Sequence, residues 1–354
     1  MDWEPEHGPG RSRLVLLEMA QRRARSADAE AHHGLVDRDP EKDPLESLKI
    51  LTGTANPELA QRICAQLGVE VGQATIGQFE DGEIQVRIDE NIRGLDVFVV
   101  QPTMPPAENM MSLLVMLDAC RRASARRVTA VVPYYGYERQ DRKDQPRVPI
   151  TAKLVANLIT IAGADRMISM DLHSAQIQGF FDIPFDHLYA APVMIEYFLR
   201  KQLEDLVVVA PDIGSVKMAR AYAKRLGAEL ALVDKRRPTA DAVEVMNIIG
   251  DVEGKNVVFF DDVISTGRTL CQAADAMRAN GAREIYAGAT HAVLADGAAE
   301  RLLASPIREV VVTDTIPHDP ARLNEKFTVL SVGGLLGEAI RRIHEERSLS
   351  SLFV

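Results

Sequence analysis

From Leu48 onward, short apolar runs alternate with stretches whose apolar positions recur at helical spacing, the pattern of a parallel sheet covered by helices. The apolar runs predict strands near Lys49–Thr52, Ile84–Ile88, Val97–Gln101, Val128–Pro133, Met167–Asp171, Val207–Pro211, Leu230–Val233, Val257–Asp261, Ile285–Thr290, Val310–Thr313 and Thr328–Ser331. A helix is predicted from Pro57, with Leu59, Ile63 and Leu67 on one face and Gly68 ending it. Another is predicted from about Thr269 through Leu270, Ala273, Ala274 and Met277, stopping near Gly281. Residues 1–46 show no strand pattern and one candidate helix around Arg13–Arg25. They read as a polar, mobile extension whose Arg-rich stretch is either a solvated helix face, the reading preferred here, or a partner contact.

The pattern also repeats. Pro57–Glu70 resembles Val216–Glu229, and Ile92–Pro102 resembles Val252–Asp262 at nearly the same offset. Two α/β units in tandem are therefore expected, residues 47–190 and 191–354, behind the extension of residues 1–46. At 354 residues the chain has room for both.

Composition narrows the class. With 46% hydrophobic and 26% charged residues the chain reads as soluble and globular. A formal charge of −10 argues against a general nucleic-acid binder, though a local basic loop can still hold phosphates. The N-terminus lacks a basic region followed by an apolar core, and no apolar run approaches membrane-spanning length, so a cytoplasmic location is expected. Cys64, Cys120 and Cys271 fall singly in predicted helices without metal-ligand spacing and read as reduced core residues.

The richest chemistry lies at residues 257–269, where a buried strand meets Asp261 and Asp262 and then a small loop that opens a helix. Ser265, Thr266, Gly267, Arg268 and Thr269 sit at that helix N-terminus, where free N–H groups and the helix dipole hold a phosphate. The aspartates lie at a strand's carboxyl end, where α/β proteins bind ligands, and suit sugar hydroxyls directly or through a divalent cation. Helix capping alone would need one such residue. In the repeated segment the place of this loop is taken by Gln101-Pro-Thr-Met-Pro-Pro, so one unit keeps a sugar-phosphate site and the other is left for a different ligand or for packing.

Tyr134–Arg147 concentrates Arg139, Arg142, Lys143 and Arg147 without helical or strand period, either solvated surface or a lid over polyphosphates. Lys235, Arg236 and Arg237 follow a strand and form either a basic turn or cations that stabilise a transferring phosphoryl group. His173, Asp212 and Asp261 all end strands, which would bring them along one sheet edge around a divalent metal. Phe79–Glu83 reads as a hairpin turn. No role is assigned to His187, His291, His318 or His344.

Several of these segments, in order, resemble the ribose-phosphate pyrophosphokinases: Phe79-Glu-Asp-Gly-Glu, Arg139-Gln-Asp-Arg-Lys, Ala152-Lys-Leu-Val-Ala-Asn, Met170-Asp-Leu-His, Gln176-Ile-Gln-Gly-Phe-Phe-Asp-Ile-Pro and the Asp261–Thr269 loop. The resemblance runs from about Leu48 to the C-terminus. It implies two tandem phosphoribosyltransferase-like units and transfer of the diphosphoryl group of ATP to the anomeric hydroxyl of ribose 5-phosphate, with Mg²⁺ as cofactor. By match to the family's motifs, Phe79, Asp81, Gly82, Glu83, Arg139, Gln140 and His173 would contact ATP, the Phe79 segment acting on a neighbouring subunit's site. Asp261, Asp262, Ser265, Thr266, Gly267, Arg268 and Thr269 would hold ribose 5-phosphate with Arg237. His173 and Asp212 would lie at the metal sites, and Lys235 with Arg237 would carry catalysis. Dimers building a hexamer are implied, as is a regulatory site between subunits involving Arg93 and the segment beginning at Ser348. Arg268 departs from the family's small residue in the phosphate loop. A regulatory homologue should have lost catalytic residues, and a phosphoribosyltransferase would not need the duplicated unit.

Overall fold

The computed structural model describes residues 44–236, 245–320, 323 and 325–353, so residues 1–43 of the extension, with its candidate helix around Arg13–Arg25, lie outside the described residues. Residues 47–354 form one compact body that contains two main sheets.

The first sheet is built from β1 (Leu48–Thr52), β4 (Asp96–Val100), β5 (Arg127–Val132), β6 (Arg166–Met170) and β7 (Phe185–Leu188), in that order and parallel throughout. A separate antiparallel hairpin pairs β2 (Ala74–Gln78) with β3 (Ile84–Ile88). Helices α1 (Pro57–Leu67), α2 (Glu108–Arg122) and α3 (Thr151–Ala162) complete this half. Asn56 starts α1 by accepting the Leu59 N–H at 3.3 Å, and Gly68 ends it in a left-handed turn at φ 75°.

The second sheet has the order β10-β9-β8-β11-β12-β13-β14. Its strands are β8 (Leu206–Ala210), β9 (Glu229–Arg236), β10 (Val245–Ile249), β11 (Asn256–Ile264), β12 (Glu284–Ala292), β13 (Glu309–Thr313) and β14 (Phe327–Leu330). Only the β10–β9 pair is antiparallel. Between them run α4 (Ala191–Lys201), α5 (Val216–Leu226), α6 (Arg268–Ala279), α7 (Ala298–Ala304) and α8 (Gly333–His344). If β9 and β10 are set aside, both sheets place their strands in the same chain order, which is the structural counterpart of the sequence repeat.

Every strand expected from the apolar runs is present, with most ends within two residues. Three were not expected. Ala74–Gln78 carries Gly77 and is only partly covered, Phe185–Leu188 is four residues long, and Val245–Ile249 is an edge strand without period-2 alternation. Two strands run further than expected. Lys235 and Arg236 belong to β9 and pair with β10 rather than forming a turn. β11 continues through both aspartates to Ile264, because β12 stays alongside it to Ala292.

Parallel strands covered on both faces require continuous apolar runs, and Val257, Val258, Phe259 and Phe260 of β11 are all buried. Alternate residues serve opposite faces. Val257 and Phe259 pack with Leu270, Ala274 and Met277 of α6, whereas Val258 and Phe260 pack with Phe198 of α4 and Tyr222 of α5. Tyr222 stacks on Phe260 with ring centroids 3.8 Å apart.

The chain's last helix returns to the first sheet's side. α8 lies against α1, where added Cβ atoms at Gly333 and Gly337 would come within 2.7 Å of Arg62 Cβ and 2.9 Å of Gln66 Cγ. At its end His344 Nδ1 lies 2.8 Å from Asp96 Oδ2, and Arg127 grips the same carboxylate. Burial opposes the charge on Asp96, but hydrogen bonds from His344 and Arg127 outweigh it and lower its pKa. The three cysteines are free and buried, and among the described residues no helix is long and apolar enough to cross a membrane.

Candidate active site

The second sheet reverses its strand order at β8 and β11: the chain leaves β8 toward β9 on one side and resumes on the other with β11. A crevice opens at the carboxyl ends of such a pair, and here β8 stops pairing with β11 at Val209 and Phe259 while β11 runs on. Asp261 and Asp262 therefore project from a strand that has lost one neighbour. Asp212 follows β8, where its carboxylate accepts the Ser215 N–H at 2.9 Å ahead of α5. It remains exposed and adds negative charge near Asp261.

Two adjacent half-buried carboxylates cannot both carry charge at their usual strength. Burial, reinforced by the neighbouring Asp262, raises the pKa of Asp261. Burial also works against Asp262, but hydrogen bonds from His173 and Asp261 prevail and lower its pKa. His173 Nδ1 donates to Asp262 Oδ2 at 2.8 Å, and that bond raises the pKa of His173. Since His173 follows β6 of the first sheet, this contact links the two halves.

Residues 265–269 follow directly from that carboxyl end, after β11 stops at Ile264. Gly267 precedes α6 in a left-handed conformation, φ 69°, and accepts the Cys271 N–H at 2.9 Å. The main chain of the loop is held from the segment after β12: Ala295 N–H donates to Ser265 O at 3.0 Å, and Arg301 donates to Thr266 O. Arg268 turns to Asp296, 2.7 Å away, rather than into the loop.

On the first-sheet side, Arg139 and Gln140 line a pocket of about 480 Å³ together with Arg142, Asp144, His173 and Ser174. Gln140 is fixed by Thr151, whose hydroxyl donates to its Oε1. Phe79, Asp81, Gly82 and Glu83 form the tip of the β2–β3 hairpin, closed by Phe79 N–H to Glu83 O at 2.8 Å and by Glu83 N–H to Asp81 Oδ1 at 3.1 Å. Phe79 is 51% exposed, and none of these four lines that pocket. Lys235 lies near the carboxyl end of β9, paired with Met246 of β10 and three residues beyond the last pair with β8, while Arg237 lies outside the described residues. His173 and Asp212 form no contact with each other, and among the described residues no three His, Cys, Asp or Glu side chains converge into a metal cage.

Several contributors are given no role from the sequence. Glu138, 2% exposed, accepts the His173 N–H at 2.9 Å, and burial pushes its pKa up to about 8. In sequence it is one more charge in a charged run. Asp171 adopts φ 39° and accepts the Ala190 N–H at 2.8 Å and the Thr290 hydroxyl at 2.7 Å, with burial raising its pKa to about 6. His187 Nε2 accepts the Leu172 N–H at 3.0 Å. His291 donates from Nε2 to Met170 O at 3.0 Å and has its Nδ1 2.9 Å from Thr315 Oγ1. Burial holds both histidines neutral, with pKa values of about 4.

The first sheet's equivalent crevice is plugged. Gln101 stands where Asp261 stands in the repeat, is 0% exposed, and places its Oε1 2.0 Å from where a Cβ on Gly53 would be. It accepts the Ala55 N–H and donates to Asn109 O, each at 3.1 Å. At this one position the residue has a packing role.

Two tandem, mainly parallel sheets flanked by helices, one with two adjacent carboxylates beside its switch point, define an α/β protein of the phosphoribosyltransferase-like fold. Residues 48–163 match the N-terminal domain of ribose phosphate pyrophosphokinase, and residues 234–354 match the phosphoribosyl synthetase-associated domain. The ribose-phosphate pyrophosphokinase of Caldanaerobacter subterraneus is 56% identical over 309 residues, 87% of this chain and 98% of that protein. The chloroplastic ribose-phosphate pyrophosphokinase 2 of Arabidopsis thaliana is 54% identical over 87% of this chain and 78% of its own. The crystal structure of phosphoribosylpyrophosphate synthetase from Mycobacterium smegmatis superposes with a TM-score of 0.80 at 43% identity, covering 85% of this chain and 99% of that one. The chain belongs to the ribose-phosphate pyrophosphokinase family, enzymes of the transferase class that serve nucleotide biosynthesis.

Proposed function

We propose that the chain is a working ribose-phosphate diphosphokinase. The anomeric hydroxyl oxygen of ribose 5-phosphate attacks the β-phosphorus of ATP, the bond from that phosphorus to the α-phosphate oxygen breaks, AMP leaves with the electron pair, and the hydroxyl proton is lost. The observation that supports this reading best is the His173–Asp262 hydrogen bond, which joins the Arg139 pocket beside one sheet to the acidic strand end of the other, as a reaction between a nucleotide and a sugar requires.

In this reading residues 47–190 supply the ATP loops and residues 191–354 the sugar-phosphate site. The N–H groups and hydroxyls of Ser265, Thr266, Gly267 and Thr269 hold the 5-phosphate, and Asp261 and Asp262 hold the ribose hydroxyls. Arg268, engaged by Asp296, adds long-range positive charge rather than a direct contact. Arg139, Gln140 and His173 take the triphosphate side. Lys235 and Arg237 neutralise charge that builds on the phosphoryl oxygens. Such positioning and neutralisation carry most of the rate in phosphoryl transfer.

The donor set around His173, Asp212, Asp261 and Asp262 is mainly carboxylate oxygen, which suits a hard cation. Mg²⁺ takes one or two protein ligands and completes its shell with phosphate oxygens and water. When bound it would neutralise charge on the triphosphate, and His173 and Asp212 are its proposed ligands. Phe79, Asp81, Gly82 and Glu83, exposed at a hairpin tip away from the chain's own pocket, would serve a neighbouring copy, in dimers building a hexamer. Three free thiols fit a reducing compartment such as the cytoplasm.

The test is ³¹P NMR of the purified protein with ATP, Mg²⁺ and ribose 5-phosphate, repeated without the sugar. Sugar-dependent AMP and an anomeric diphosphate are expected. A folded protein that binds both substrates without turnover would refute catalysis.

A further inference from the structure

We infer that Glu138 is a positioning residue that couples the nucleotide pocket to the acidic crevice by clamping the main chain of His173. The inference rests on the reaction proposed above and concerns a side chain that this reaction has not used.

β6 ends at Met170; the Asp171 N–H still donates to Leu188 O of β7 at 2.9 Å, but the N–H groups of Leu172 and His173 have left the sheet and need other acceptors. Side chains from separate elements provide them. Leu172 N–H goes to His187 of β7, and His173 N–H goes to Glu138 at 2.9 Å. Asp171, in a left-handed conformation that costs a non-glycine residue about 1–3 kcal/mol, is fixed through its own carboxylate by Ala190 and Thr290. Three successive residues are thus over-determined, and the imidazole that follows points at Asp262.

Glu138 differs from the other holders in its place in the chain. It directly precedes Arg139 and Gln140, which line the pocket, and it is buried where a carboxylate gains nothing from water. A polar group in such a place is costly unless it is hydrogen-bonded, and here the bond it accepts comes from the His173 main chain. A ligand that draws on the Arg139 loop therefore pulls on Glu138 and, through it, on the residue that bonds Asp262.

The experiment uses the full chain. Wild type, Glu138→Ala and Glu138→Gln are compared for KM and kcat, and for Mn²⁺ binding followed by electron paramagnetic resonance with and without the α,β-methylene analogue of ATP. Glu138→Ala should raise KM for ATP about tenfold, equivalent to about 1.4 kcal/mol, with KM for ribose 5-phosphate changing less than about twofold. It should also abolish the gain in Mn²⁺ affinity that the analogue gives wild type. Glu138→Gln keeps an oxygen in reach of the His173 N–H and should restore both. Hydrogen exchange on wild type gives a second test that needs no variant: the analogue should slow exchange of the Leu172 and His173 amides along with the Arg139 loop. Active wild type with Glu138→Ala matching it, or protection of the loop without protection of residues 172 and 173, overturns the clamp and leaves the reaction standing. Equal rises in both KM values, unrelieved in Glu138→Gln, also overturn it, because they mark general structural damage.

Discussion

Gln101→Ala tests why only one of the two related crevices is a site. The side chain is fully buried and satisfies two main-chain groups, Ala55 N–H and Asn109 C=O, at 3.1 Å each. Removing it strands the Ala55 N–H, while the Asn109 C=O keeps its partner within α2, and a stranded buried group costs about 1–3 kcal/mol. The space it leaves adds a cavity penalty, offset in part if water enters, because the walls are polar. A total loss of about 2–5 kcal/mol is expected, read by urea denaturation as a lower midpoint at unchanged slope. Gly53→Ala should cause a comparable loss by a different route, since its Cβ would lie 2.0 Å from Gln101 Oε1 and must expel the side chain. In the double variant the added methyl occupies vacated space, so the two losses should fall well short of additivity. Turnover per folded molecule should stay within about twofold of wild type in Gln101→Ala, as the plugged crevice lies on the other sheet from the acidic pair. A Gln101→Ala loss below about 1 kcal/mol, or strictly additive losses, would show that Gln101 does not seal the crevice.

Two further expectations follow from other parts of the molecule. His291 is neutral in the fold with a pKa of about 4, whereas the unfolded chain takes up its proton near 6.5. Its contribution is therefore complete above about pH 6.5 and is lost as pH falls toward 4, so the stability advantage of wild type over His291→Gln should shrink by on the order of 3 kcal/mol across that window. Urea midpoints of both proteins at pH 7, 5.5 and 4 check this, and a difference independent of pH would contradict burial of a neutral imidazole. Lys235→Ala should lower kcat by roughly 10²–10³ while KM for ribose 5-phosphate changes little, because the charge it is proposed to meet develops in the transition state. Steady-state kinetics decide, and weakened binding at unchanged kcat would remove Lys235 from the catalytic role.

The sequence alone determined the α/β class, the repeat, most strands and the helix start after Gly267, because each is encoded locally. Buried parallel strands must be continuously apolar, a helix must be capped, and a phosphate loop needs glycine and hydroxyls next to one another in the chain. Ile84–Ile88 and Pro57–Leu67 fell where the pattern put them. Marginal edge strands such as Val245–Ile249 did not, since pairing and not periodicity holds them. Tertiary structure decided what partners do to a residue's chemistry. It gave His173 its partner 89 positions away in Asp262, turned Glu138 from one charge among many into a buried acceptor, made His291 a neutral link between the sheets, and filled one of two equivalent crevices with Gln101. Burial and long-range contact set each of these, and neither is carried by the residues adjacent in the chain.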